Sequence, residues 1–280
     1  MATASQQGFV RPVSRFVHNH GDFRRNVEDF RSEGFTKLSC VLSPHILTAV
    51  ELECTAVAEA RWAARETSRA KDAYQLAFDY TMNVWCESAC IKGLALSPVL
   101  GEIAANLLGV PSVRLSHDQV LYKRPGSPGT PAHADQYHWP VSHRETITLW
   151  IPLQPVAPNQ GRLVFFRGSH RLQPVTLREL FALSPEEVEF FLRQCGFTEV
   201  EPVLELGDAT AHYGWTFHGS GGNVTSETRK VYGLVYMAAN IKLVAPEYGP
   251  PLEFLGNWCP GARVGGPMHS EHNPIVFTGS

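Results

Sequence analysis

Residues 131–140 read "PAHADQYHWP", with two histidines, one aspartate and two large aromatics in ten positions. That is more chemistry than a simple turn requires, and its backbone conformation decides what it can do. On a helix, positions two apart do not face each other, so His133 and Asp135 would splay. On an extended strand, side chains alternate between faces. His133, Asp135, Tyr137 and Trp139 then share one face, and Ala132, Ala134, Gln136 and His138 share the other. The extended reading brings an imidazole and a carboxylate to one point, as a metal site needs, and it predicts β structure around them.

The neighbouring sequence agrees. Short runs rich in β-formers lie between turn residues: "SVRLSHDQVLYK", "ETITLWIPLQPV", "GRLVFFRG", "PVLELGDATAHY", "WTFHGS" and "RKVYGLVYMAA". With no long helices between most of them, they predict an antiparallel sandwich or barrel over about residues 111–240. A helical insertion over about 176–195 interrupts it, with Ser184 and Glu187 forming a capping box at a solvated helix start. About residues 22–110 read as mostly helical. Ser43 caps and Pro44 opens a helix running to about residue 70. Ser97 and Pro98 repeat the device, followed by an apolar stripe at Val99, Ile103 and Leu107 and a stop at Gly109. The proline- and glycine-rich tail, 241–280, wraps the core, and residues 1–280 form a single domain.

The 280 residues suffice for a sizeable core. With 44% hydrophobic and 18% charged residues, the composition is globular rather than disordered. A net charge of -3 points to neither nucleic acid nor an anionic membrane as partner. Apolar runs such as "GLVYMAAN" and "CIKGLALSPVL" are too short to span a bilayer. "MATASQQGFVRPVSRF" lacks the apolar stretch of a secretory signal; Arg11 and Arg15 ahead of the first acid, Asp22, make a weak organelle-targeting pattern. The expectation is an intracellular, cytoplasmic protein with reduced thiols at Cys40, Cys54, Cys86, Cys90, Cys195 and Cys259. Cys86 and Cys90, one helical turn apart, read as one buried face. "NVT" at Asn223 has the form of a glycosylation acceptor, which an intracellular protein does not use.

Two histidines and one carboxylate on one face of an octahedron leave three positions open, the arrangement typical of non-haem Fe(II) oxygenases. The residues alone leave the third ligand open among His138, His143, His170, His212 and His218. His138 falls on the opposite face, and His143 and His170 sit beside turn sequence. Arg229 opens a β run shortly after His218 and could bind a carboxylate bidentately. Each residue also has a plainer reading. His133 and Asp135 could be a buried pair, Arg229 a surface residue beside Lys230, and Trp150 ordinary core. His170 reads as holding a turn and His212 as a structural neighbour.

The stretches "HADQYHWP", "TITLWIPL", "GSHR", "GDATAHYGWTFHGS" and "NVTSETRK", in that order, resemble the phytanoyl-CoA dioxygenase family of oxygenases. The likeness covers about residues 110–240, with a weaker match at "EGFTKLSCVLSP". It implies a double-stranded β-helix, a jelly-roll, cupin-like barrel buttressed by N-terminal helices. It further implies Fe(II) on His133, Asp135 and His218, 2-oxoglutarate as co-substrate with its far carboxylate on Arg229, and dioxygen. Trp150, Ser220 and Gln119 fall on positions lining the co-substrate pocket of relatives. Oxidative decarboxylation to succinate and carbon dioxide would accompany hydroxylation of a small-molecule metabolite. Because Asp135 is retained, halogenation is disfavoured. Tyr137 and Trp139 are expected to meet the substrate, with "YQLAFDYTMNVW" (74–85) and the helical insertion as lids over the mouth. The rival readings are a cupin-like metal isomerase or dioxygenase that does not use 2-oxoglutarate, and a non-catalytic binding module.

Overall fold

The computed structural model describes residues 20–64, 77–172, 180, 183–245 and 255–279. Two antiparallel sheets dominate. The larger is ordered β1 (Phe35–Leu38), β8 (Ala209–Tyr213), β5 (Thr146–Pro152), β10 (Arg229–Ala238), β3 (Ser112–Lys123) and β11 (Ile275–Thr278), with β2 (Asp79–Met82) also paired to β3. The smaller is ordered β4 (Thr130–His133), β9 (His218–Ser220), β6 (Leu163–Phe166) and β7 (Glu199–Val200). This is the antiparallel two-sheet arrangement that the strand spacing predicts, of the jelly-roll type that the family resemblance implies.

The large sheet is covered on one face by helices and faces the smaller sheet with the other. Every residue of β5 is buried, and the alternation divides them. Ile147, Leu149 and Ile151 join the helix-side core with Leu115, Val120, Tyr232 and Leu234. Thr148 and Trp150 point into the space between the sheets and line a cavity there. The helices beneath are α1 (His20–Glu33), α2 (Pro44–Ala63), α3 (Ala89–Ala95) and α4 (Pro98–Leu108). Ser43 accepts from the Ile46 amide with Pro44 in the first turn, as the sequence predicts. Ser97 occupies the cap position of α4 but accepts no side-chain cap bond, while Gly109 ends that helix at φ 72°. The capping box at Ser184 and Glu187 forms in both directions at the start of α5 (Pro185–Gln194).

Several expectations need correction. The N-terminal part contributes two strands, β1 and β2, besides its helices. The tail adds β11, which pairs with the start of β3. Helix α2 ends at Ala63; its expected extension lies outside the described residues, as do 176–179, 181 and 182 of the helical insertion. Residues 89–108 together have the length and apolarity to cross a membrane. In the fold they are two helices broken at Leu96 and Ser97, and most of the stretch is buried. Cys86 is exposed and Cys90 half-buried, so they do not form a buried face. Asn223 is fully buried, its amide donating to the Lys123 and Glu227 carbonyls, so it is not available for glycosylation.

One glycine fixes the entry to the sheet. Gly34 joins α1 to β1 at φ +91°, and a Cβ there would come within 2.4 Å of His170 Nδ1. Its carbonyl receives the Tyr213 amide and the Thr216 hydroxyl. His170 is stacked on Tyr213 and holds this junction, away from His133 and Asp135.

Candidate metal centre

The register of β4 against β9 sets His133 directly opposite His218. Their ring centroids are 4.4 Å apart. Both rings are oriented in the same way. His133 Nδ1 donates to the Pro131 carbonyl at 2.9 Å, and His218 Nδ1 donates to the Thr216 carbonyl at 2.9 Å. A carbonyl can only accept, so these bonds fix the tautomer and leave each Nε2 as a lone pair for a metal.

Asp135 completes the set by a shorter route than predicted. The strand ends at His133, Ala134 stays extended, and residues Asp135–His138 form one 3-10 turn. One extended residue is enough to keep His133 and Asp135 on the same side. Oδ1 of Asp135 lies 3.5 Å from His133 Nε2 and 3.6 Å from His218 Nε2. The three ligand atoms lie within 4.8 Å of one another. Neighbouring ligands at about 2.1 Å from one ion stand about 3 Å apart, so the three can close on an ion with small movements. Oδ2 faces the other way, accepting from Thr148 Oγ1 at 3.0 Å and His212 Nε2 at 3.2 Å.

The protonation states suit a metal. Burial opposes ionisation of Asp135, but its neighbours His218, His133 and His212 hold its carboxyl well below the usual range. Burial pushes His218 down to about 3, against the pull of Asp135. At neutral pH the carboxylate is charged and this imidazole neutral, the forms that ligate metals.

A cavity opens beside the cluster. Gln119, Trp150, Ser220 and Arg229 all line it, together with the three ligands. Gln119 crosses over Gly233, where a Cβ would come within 2.9 Å of its Cγ. Ser220 donates to Thr130 Oγ1 at 3.1 Å. Arg229 is 3% exposed, lies over the Trp150 ring at 5.5 Å, and donates to the Gly161 carbonyl at 2.8 Å. Tyr137 and Trp139 are not among the lining residues. The shared face predicted for them ends at Asp135, because the 3-10 turn rotates the residues beyond it. Tyr137 lies against His138, and Trp139 stands edge-on to His117, whose ring stacks on Trp258. Of the rejected histidines, His138 and His143 are exposed.

Sequence reading missed several cavity residues, including Thr148 and Thr130, and gave His212 only a bystander's place. It also missed Lys123, the cross-strand partner of Arg229. Lys123 is fully buried and donates to the Pro128 carbonyl at 2.6 Å and Thr130 Oγ1 at 3.2 Å. Like charges facing each other across strands are destabilising, and among the described residues no carboxylate pairs with Lys123. Burial pushes its ammonium down to about 7, with Arg229 adding to the shift. The unfolded chain holds that proton to about pH 10.4, so stability should rise with pH from about 7 toward that value. Lys123→Met should stabilise the empty protein at neutral pH by on the order of 2 kcal/mol and flatten that rise. Urea denaturation near neutral and at mildly alkaline pH measures both effects.

Residues 30–231 match the family model for phytanoyl-CoA dioxygenase (PhyH). Curated protein sequences gave no match. Among solved structures, the non-heme alpha ketoglutarate dependent carbocyclase SnoK from nogalamycin biosynthesis superposes with a TM-score of 0.76 at 22% identity, covering 99% of this chain and 100% of that one. The epimerase SnoN, in complex with Fe3+, alpha ketoglutarate and nogalamycin RO, gives 0.73 at 25% identity, covering 92% and 100%. EctD from S. alaskensis with bound Fe gives 0.68 at 22% identity, covering 88% of each chain.

Proposed function

Because the chain belongs to the phytanoyl-CoA dioxygenase family, we propose that it is an Fe(II)- and 2-oxoglutarate-dependent oxygenase acting on a small-molecule metabolite. The observation that carries this reading is the convergence of two histidine Nε2 atoms and one aspartate oxygen at a cavity that also holds a buried arginine. SnoN, crystallised with iron and alpha ketoglutarate, supports the same pairing of metal and co-substrate.

In this reading His133, Asp135 and His218 hold Fe(II). Arg229 grips the distal carboxylate of 2-oxoglutarate, where a guanidinium offers two parallel donors. Lys123 stands one hydroxyl behind, through Thr130, and adds positive potential at the same end. Ser220 offers a further hydroxyl there, Trp150 forms a wall, and Gln119 meets the other end of the co-substrate. Phe78, Leu121 and Leu163 line the cavity with apolar surface and keep water from the reacting centre. With dioxygen, the bound iron supplies oxidative decarboxylation of 2-oxoglutarate to succinate and carbon dioxide, coupled to oxidation of a C–H bond.

Hydroxylation is the outcome proposed for the substrate. Tyr137 and Trp139 are proposed to meet it, Trp139 together with His117 and Trp258. Phe78 is the described part of segment 74–85 that reaches the cavity, in keeping with a role for that segment over the mouth. SnoK and SnoN belong to nogalamycin biosynthesis, which favours a substrate from specialised metabolism. The direct test is succinate release from anaerobically iron-loaded protein once oxygen and 2-oxoglutarate are admitted. Slow uncoupled release is expected without substrate, accelerated by a true substrate. No succinate with any metabolite, in protein that binds iron, would leave a metal site with a different chemistry.

A further inference from the structure

Asp135 lies between two cross-strand pairs, one from each sheet. The pair His133 and His218, from β4 and β9, faces its Oδ1. The pair Thr148 and His212, from β5 and β8, faces its Oδ2. A carboxylate cannot donate, so the hydrogen at His212 Nε2 belongs to the imidazole. His212 Nδ1 is buried and has no hydrogen-bond partner among the described residues. A buried ring with one nitrogen unsatisfied costs more than an apolar residue filling the same space. The hydrogen bond it does make goes to Asp135. Phe165 packs against both His212 and His218, at 5.2 and 5.9 Å between ring centroids, and steadies both rings.

Resting on the proposed metal centre, we infer that Thr148 and His212 clamp Oδ2 so that Asp135 binds metal through one oxygen only. A carboxylate released from that clamp can rotate and take a second coordination position. A two-oxygen aspartate would occupy one of the positions that 2-oxoglutarate and dioxygen need. Thr148 and His212 are therefore positioning residues that keep the site open, and the protonated Nε2 of His212 excludes it from the ligand set. The register of β5 and β8 builds the clamp in advance, whether or not metal is bound.

Co(II) titration of the whole protein under anaerobic conditions, followed by visible absorption and chelator competition, tests this without turnover. Thr148→Val and His212→Ala should each weaken Co(II) binding about 10–100-fold. Each should also change the ligand-field spectrum and weaken 2-oxoglutarate binding to the metal-loaded protein. Thr148→Ser and His212→Gln, whose side-chain donors can reach Oδ2, should recover most of the loss. Wild-type affinity and spectrum in Thr148→Val and His212→Ala would overturn the clamp. So would complete loss of metal in His212→Ala with no recovery in His212→Gln, because His212 would then be a ligand itself. If His212→Ala does not fold, Thr148→Val and Thr148→Ser decide the matter. His133→Ala and His218→Ala belong in the same titration: undiminished Co(II) binding in those two would reject the metal centre, whereas loss there with wild-type binding in the clamp variants rejects the clamp alone.

Discussion

His133→Ala, Asp135→Ala and His218→Ala should each lower turnover at least about a thousandfold and leave the purified protein with little iron, since each removes one of three ligands to an ion that carries the chemistry. None of these residues belongs to the helix-side core, so the folded state should survive, and circular dichroism checks it. Metal analysis and succinate release on the same preparations make the measurement. The comparison that matters most is His218 against His212, whose ring centroids are 4.5 Å apart. His218→Ala should lose iron outright and His212→Ala only in part. The reverse result would mean that the distal ligand has been misassigned.

Arg229→Ala should raise the apparent KM for 2-oxoglutarate by about 100-fold, the scale of truncating one partner of a buried charged pair, while iron content stays normal. Burial of this arginine makes the effect large, because little water can enter to replace its hydrogen bonds to a carboxylate. Arg229→Lys should recover only part of the loss, since an ammonium cannot present two parallel donors. Initial rates across a 2-oxoglutarate series provide the test. An unchanged constant in Arg229→Ala would remove the anchor from the co-substrate assignment.

How far the chain could be read in advance varied from element to element. Runs of β-forming residues between turn signals, such as "TITLWIP", placed β3, β5, β8 and β10 correctly. That signal failed at β1, β2 and β11, each four residues long, because they lie amid the helical N-terminal part or in the proline- and glycine-rich tail, away from the cluster of β-rich runs. In "HADQYHW" alternation held from His133 to Asp135 and then broke. The Gln136 amide turns to the Gly214 carbonyl, and Gln136 Oε1 accepts from Thr146, which bends the chain into a 3-10 turn. Neither bond is local in sequence, so no local pattern could announce it. His218 could be preferred over His212 only through the family motif. Both histidines lie in late strands, and what separates them is that one faces Oδ1 and the other Oδ2. Lys123 was passed over because "YKRPG" reads as a strand running into a solvated turn. Its burial arises from its register opposite Arg229, a tertiary fact.

The division of β5 between core and cavity bears on how such a protein can diverge. Inserting or deleting one residue in that strand would exchange its faces. Ile147 and Leu149 would enter the cavity, and Thr148 and Trp150 would be driven into the helix-side core. The penalty would fall on folding and on the metal site together, with no single compensating substitution. Point changes along the inner face carry no such double penalty, and neither do length changes in the connections between strands. New substrate preferences in this lineage should therefore arise through side-chain exchange on the strands and through growth or shrinkage of the loops, while the strand lengths stay fixed.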